Sequence, residues 1–280
     1  MKQKSYPFSS FVLKIIALAT MTLDHIGAIV LHNVGLDNTM LYLMLRIIGR
    51  VAFPLFVFMV VEGVIHTKHP VRYFARLAIS GIFIGLALWV GQLISGEAMI
   101  TGNIFVDLLA IALMVWFLRQ KEYLKLLAII PALYIFLDFK LNFSAVSPFT
   151  SPQYGLYGLT MGLFYYLGYL INQTSSKAAC EKYGIDFEGY ALTRQYRSNA
   201  NVAASISLLT ANILWYIIFR IDSSWDTVFI SFQSLSVLTG IILLFYNGKR
   251  GYDSKWFRFG TYAYYPFHII LLNLLSYLIV

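Results

Sequence analysis

Charge is scarce in this sequence. Charged residues make up 12% of the 280 positions, where a soluble domain keeps its surface wetted with roughly 25%. With hydrophobic residues at 59%, too little polar surface remains to face water, and a soluble fold is excluded. Cysteine is all but missing. Cys180 stands alone, so no internal disulfide can form, and a lone thiol in a polar stretch carries no motif. Also missing are the alternating segments of ~10 residues that a membrane β-barrel needs. No internal repeat, direct or inverted, is visible, and no two spans are broken at corresponding positions, which counts against a repeat-built transporter. No spacing of His, Cys, Asp and Glu resembles a metal-ligand set.

What is present is a series of apolar runs approaching the ~20 residues that cross ~30 Å of hydrocarbon as a helix. Backbone groups in lipid must bond internally, so these runs read as helices. The expected fold is an all-α polytopic membrane protein, a single domain over residues 1–280. It has about nine spans at 11–32, 40–64, 73–95, 103–118, 123–138, 154–172, 200–219, 227–247 and 259–279. The fourth and fifth are short, and the turn between them is tight. The N-terminus looks like a signal peptide, with Lys2 and Lys4 before an apolar run. Asp24 and His25 interrupt that run and no small-x-small site follows, so it reads as a retained first span.

Lys and Arg place the loops. The stretches 33–39 and 96–102 carry none, 139–153 has only Lys140 and 220–226 only Arg220. The alternate loops hold Lys2 and Lys4; Lys68 and Arg72; Arg119, Lys121 and Lys125; Lys177, Lys182, Arg194 and Arg197; and Lys249, Arg250, Lys255 and Arg258. By the positive-inside rule the N-terminus is cytoplasmic, the C-terminus outside, and the polar segment 173–199 a cytoplasmic loop. The net charge of +8 is accounted for by this topology without a nucleic-acid partner. Aromatic residues, at 17%, fall often near span ends, where they suit interfacial belts.

Within the spans, each charge costs about 2.5–3.5 kcal/mol on insertion scales and needs a partner or a task. Asp24 and His25 lie in the outer half of the first span. Arg46 and Arg50 reach the same depth on the second, four residues apart and so on one face. One reading is an ion-pair network locking the two helices. The other is a reactive site, because histidine is the side chain whose ordinary titration suits proton transfer near neutrality. Pro54 cannot donate to the carbonyl of Arg50, and Pro266 cannot donate to that of Tyr262, so a bend is expected at each. His268, beside Tyr264 and Tyr265 at mid-depth of the last span, is a candidate partner for the His25 cluster. Glu62 and His66, four apart, sit at the cytoplasmic end of the second span. There they cap it or line an inner vestibule.

Two basic groups are candidates for phosphate binding. One is His66, Lys68, His69, Arg72 and Arg76. The other is Lys249 and Arg250 between Gly248 and Gly251, where glycines would let backbone amides approach an anion. Ordinary positive-inside charge explains both equally.

These residues carry a resemblance. The stretches Thr20-Met-Thr-Leu-Asp24-His25-Ile-Gly27 and Leu45-Arg46-Ile-Ile-Gly49-Arg50-Val-Ala-Phe-Pro54, ending in Glu62-Gly63, resemble the TraX family. So do Tyr73 to Leu77, Tyr154-Gly155, Tyr157-Gly158, Tyr246-Asn-Gly-Lys-Arg-Gly251 and Tyr264-Tyr-Pro-Phe-His268. The family is named for a membrane protein that acetylates the N-terminus of F-type pilin, and it is similar to membrane acyltransferase-3-like proteins. One departure concerns the third span. Family members continue it with a polar, proline-containing turn, whereas Ser80 to Trp89 here is apolar, so pilin itself does not follow as the acceptor.

The resemblance implies a multi-pass enzyme of the plasma or inner membrane, transferring an acyl group, most simply acetyl, from acetyl-CoA, with no metal. It implies His25 as general base or acyl carrier, with Asp24 and Arg50 as its catalytic partners. Arg46, Glu62, Tyr265 and His268 would contact substrate. His66, Lys68, Arg72, Arg76, Lys249 and Arg250 would hold the anionic cofactor. The implied partners are acyl-CoA, membrane lipid and an acceptor bearing an amine or hydroxyl: a peptide or protein N-terminus, a lipid amine or an envelope glycan. Two rivals stand beside it. One is a proton-coupled small-molecule transporter with His25 and His268 as relay groups, the other a non-catalytic membrane partner with a purely structural cluster.

Overall fold

A computed structural model describes residues 6–95, 102–141, 147–222 and 233–279, and the described residues are helical throughout apart from turns and one isolated bridge. The first helix, α1 (Ser10–His25), starts on Ser9, whose hydroxyl accepts from the Val12 amide, and buries Leu13, Ala17, Met21 and His25 along one face. It runs on as a π-helical turn, Ile26–Leu31. Helix α2 (Met40–Gly49) is capped by Thr39, and α3 (Ala52–His66) follows after a break. That break falls at Arg50 and Val51, where Pro54 withholds the donor the Arg50 carbonyl would need. The Arg50 and Val51 amides turn back to Ile47 and Ile48 instead.

Helices α4 (Pro70–Ser95) and α5 (Ile104–Leu118) come next. The expected span at 123–138 is split into α6 (Glu122–Lys125), a 3-10 turn and α7 (Ile129–Leu141). Pro131 lacks the amide hydrogen that would continue the ladder there. Helix α12 (Lys255–Ile279) runs unbroken through Pro266, so only Pro54 of the two prolines interrupts its helix.

The segment 173–199, expected as a cytoplasmic loop, is almost entirely helical. Helix α8 (Gly155–Tyr183) continues to Gly184, which terminates it in the left-handed region at φ 64°. A short α9 (Phe187–Ala191) follows, capped by Asp186. Helix α10 (Arg194–Ile221) begins at once on Thr193. Polarity ends the apolar span but does not oppose helix formation. At about 1.5 Å per residue, α8 is about 43 Å long, well beyond ~30 Å of hydrocarbon.

Five described segments are long and apolar enough to cross a bilayer: Ser10–Leu31, Met40–His66, Pro70–Leu93, Arg194–Ile221 and Lys255–Ile279. The chain is a membrane protein on that ground. Helix α5 is apolar but only 15 residues long. The expected span at 227–247 begins outside the described residues. Its described part is a 3-10 turn, Gln233–Leu238, and α11 (Thr239–Leu243). Side chains of α10 tie down this short helix and the turn after it. Asn201 donates to Leu244 and Tyr246, and Ser205 donates to Gly240.

Helices α3 and α5 are the most enclosed, and one buried cluster extends from Leu13 in α1 to Ile269 in α12. Helix α8 packs closely on α5 and α10, where Gly162 and Gly168 leave no room for a side chain. A Cβ on Gly162 would stand 2.5 Å from Ile111, and one on Gly168 2.2 Å from the Ser207 hydroxyl. Without a hydrophobic drive inside lipid, such close packing is a main source of helix association.

Candidate active site

The polar cluster forms across α1 and the α2–α3 break. Asp24 Oδ1 receives Arg50 Nη2 at 2.5 Å and Arg46 Nη1 at 2.9 Å. Arg50 also donates to the Arg46 carbonyl at 3.1 Å and to Gln233 Oε1 at 2.7 Å. Gly49 makes this approach possible, since a Cβ there would lie 2.2 Å from that of Asp24. Both guanidinium groups therefore stand behind Asp24 and hold α1 to α2, and neither lines the cavity described next.

Beside Asp24, a chamber of about 20 Å³ is bounded by Asp24, His25, Ala52, Phe53, Phe56, Tyr154 and Tyr265 among others. His25 and His268 are buried, at 6% and 3% exposure. Their rings lie 4.9 Å apart between centroids, with His25 Nδ1 2.7 Å from His268 Nε2. His268 Nδ1 is 2.9 Å from the Tyr264 carbonyl. A carbonyl only accepts, so with both rings neutral the protons are ordered. His268 donates from Nδ1, its Nε2 accepts from His25 Nδ1, and the lone pair of His25 lies on Nε2. Tyr265 stands edge-on to His25, with ring centroids 6.0 Å apart.

The opposite wall comes from the start of α8. Asp107, buried in α5, accepts from the amides of Gln153, Tyr154 and Gly155 at 2.7–3.2 Å. That carboxylate fixes the segment whose Tyr154 stacks on Phe53 at 3.5 Å and 7°. Gln153 Oε1 in turn accepts from the Tyr265 hydroxyl at 3.4 Å.

A much larger cavity, about 840 Å³, lies below the chamber along α1 and α3. The start of α1, the end of α3, the starts of α4 and α12 and the loop after α11 all open on it. It gathers the expected His66, Lys68, His69, Arg72, Arg76 and Arg250, together with Lys14 and Arg258. Arg250 and Arg258 pair with Asp253 at 3.7 and 3.2 Å. Among the described residues no carboxylate lies within ion-pair distance of Lys14, Lys68, Arg72 or Arg76. Four cations without an ion pair around one cavity favour a multiply anionic ligand.

Glu62 lines the same cavity rather than the His25 chamber. Its carboxylate is occupied by Arg197 at 3.4 Å and by the hydroxyl of Tyr246. Tyr246 stands in the loop after α11.

Lys249 does not line the cavity. Its amide is taken by Asn247 Oδ1 at 2.8 Å, and the Lys249 and Arg250 carbonyls accept from Ser10 and Phe11. The glycine-flanked turn is therefore a splint for the start of α1, with Gly248 at φ 72° pressed against Arg197. Sequence reasoning missed Lys14, Gln153, Tyr154, Asp107 and Gln233. Signals existed for Lys14, since Ser10, Lys14, Leu18, Met21 and His25 follow one helical stripe, for Asp107, a lone charge in an apolar span, and for Tyr154 through the resemblance.

A family model described as "TraX protein" matches residues 9–220, which include Asp24, His25, Arg46, Arg50 and the basic residues of α3 and α4. His268 lies beyond the matched stretch. A probable fimbrial assembly protein, FimC of serogroup H1 from Dichelobacter nodosus, is 27% identical over 281 residues, covering 96% of this chain and 96% of its own. No solved structure matches the chain.

Proposed function

The chain belongs to the TraX family, and from that premise we propose that it is a membrane-embedded acyltransferase. It takes an acetyl group from cytoplasmic acetyl-CoA and passes it to an amine or hydroxyl presented from the outer side. One observation carries this reading. The cavity lined by these four cations and the His25 chamber are stacked along the same stripe of α1 and share Phe56 as a wall. From Lys14 to His25 the helix rises about 16 Å at about 1.5 Å per residue. The phosphates of coenzyme A rest on Lys14, Lys68, Arg72 and Arg76, on the side that the loop charges assign to the cytoplasm, and the pantetheine arm reaches inward.

The acceptor nucleophile attacks the thioester carbonyl as His25 Nε2 takes its proton, forming the new N–C or O–C bond. The C–S bond breaks, and the thiolate leaves as coenzyme A, accepting the proton that His25 carried. His268, held by the Tyr264 carbonyl, keeps that lone pair on Nε2 and spreads the charge while His25 is protonated. Asp24, neutralised by Arg46 and Arg50, anchors α1 at this depth.

The name of the Dichelobacter relative, a fimbrial assembly protein, makes a pilin-like peptide N-terminus the first acceptor to test, ahead of lipid amines and envelope glycans. Inverted membrane vesicles carrying the protein, given acetyl-CoA labelled in the acetyl group, are expected to transfer label to an envelope component. The His25→Ala variant is expected to transfer none while still inserting and binding coenzyme A. Undiminished labelling by that variant would remove the mechanism.

The contact between His25 and His268 also suits a proton relay, which favours a second reading as a proton-coupled transporter. That reading requires substrate uptake that collapses with the proton gradient and needs no thioester.

A further inference from the structure

The His25 chamber and the basic cavity meet at one side chain. Phe56 is the residue of α3 that lines both. One turn toward Gly49, Ala52 and Phe53 face the chamber. One turn the other way, Met59 and Val60 face the large cavity. On α1 the same order holds, with Leu18 on the cavity and Met21 and His25 on the chamber.

The chamber's volume, about 20 Å³, is small beside the roughly 840 Å³ of the basic cavity. Its walls have little freedom to widen. Phe53 lies flat against Tyr154, Tyr154 is held through its amide by Asp107, and Tyr265 is tied to Gln153. Packed aromatic walls of this kind do not yield by a methylene without cost.

We propose that Phe56 sets the length of the acyl group: the chamber beyond it admits the methyl of an acetyl thioester and excludes longer chains. The inference rests on the acyltransferase reading above and adds a residue that determines specificity. With the thioester carbonyl at His25, a two-carbon group places one methyl in the chamber. A propionyl or butyryl group must push one or two further carbons against Phe56, Phe53 and Tyr154. Removing the Phe56 ring widens the opening between the chamber and the large cavity, where those carbons have room.

The test is binding of coenzyme A, acetyl-, propionyl- and butyryl-CoA to the purified full-length protein in detergent, by calorimetry or by displacement of a labelled coenzyme A. Acyl transfer into membrane vesicles from the same donors is measured in parallel. For the wild type, affinity and transfer are expected to fall by at least about tenfold from acetyl to butyryl, the discrimination that one or two methylenes allow in a tight pocket. In Phe56→Ala the ladder, read relative to coenzyme A in the same variant, is expected to flatten to within about threefold. Phe56→Leu, which keeps most of the packing should Ala fail to fold, is expected to admit propionyl but not butyryl. A wild type that takes all three donors equally overturns the inference, as does a Phe56→Leu or Phe56→Ala protein with an intact ladder. Failure of the acyltransferase reading looks different. No coenzyme A then binds and no donor is used, and the inference falls with it.

Discussion

His25 donates from Nδ1 to Nε2 of His268 across 2.7 Å, and the Tyr264 carbonyl, 2.9 Å from His268 Nδ1, sets the direction of that bond. Two neutral rings placed this way leave a single basic nitrogen, and it belongs to His25. His268→Ala is expected to lower acetyl transfer by about 10²-fold, at the low end of what a positioned base contributes, with coenzyme A binding intact. His268→Gln, whose side-chain carbonyl can accept from His25, is expected to recover part of the loss. Equal loss in both variants would point to packing instead of tautomer control.

The cation set makes a prediction that separates neighbours in sequence. Arg72→Gln, Arg76→Gln and Lys14→Gln are each expected to weaken coenzyme A binding by about threefold to tenfold, an effect that shrinks at high salt. Lys249→Gln, which stands outside the cavity, is expected to leave binding within about twofold. Titration of the four purified variants at two salt concentrations checks this directly, and a Lys249 effect as large as that of Arg72 would contradict the geometry.

Arg50 is 6% exposed and shares Asp24 with Arg46. Removing one partner of a buried pair typically costs about 3–5 kcal/mol. Arg50→Met is therefore expected to lower the detergent Tm strongly, and Arg50→Lys to rescue little, because lysine cannot reach Asp24 and Gln233 together. A double-mutant cycle with Asp24→Asn is expected to give coupling between the two sites. Additive effects would show that the contact does not hold the helices.

Gly49→Ala tests the helix approach at that cluster. The added methyl would occupy the Asp24 side chain's place at 2.2 Å, whereas one on Gly27 would meet the movable Arg46 chain at 3.2 Å. Gly49→Ala is expected to abolish stable folding or transfer, and Gly27→Ala to be mild. Thermal melts of both variants decide it.

Much of this molecule was legible without its tertiary structure. Low charge and apolar runs required membrane helices, because lipid leaves backbone groups no other partner. The spacing of Asp24, His25, Arg46 and Arg50 required a contact between α1 and α2, because unpaired charges at that depth are too costly to keep. Pro54 marked the break that follows Arg50. The basic residues at the end of α3 and the start of α4 were recognisable as a group, since sequence neighbours on short loops stay close in space.

Other features had no such local cause. Helix propensity carried α8 and α10 through the polar stretch 173–199, against a reading based on hydropathy alone. The turn around Lys249 offered an anion nest in sequence, but Asn247 takes the Lys249 amide and the start of α1 takes the carbonyls. Lys249 and Arg72 look alike as isolated cations. Only the packing of α1, α3, α4 and α12 around one cavity separates them. The pairing of His25 with His268, the support of Gln153 and Tyr154 by Asp107, and the place of Phe56 between two cavities all join residues far apart along the chain. Composition and spacing determined that this protein is a membrane protein with a buried charged site. Which side chains face one another across that site depended on helix packing, because contacts between distant segments follow from the shapes of whole helices and leave no periodic trace in the sequence.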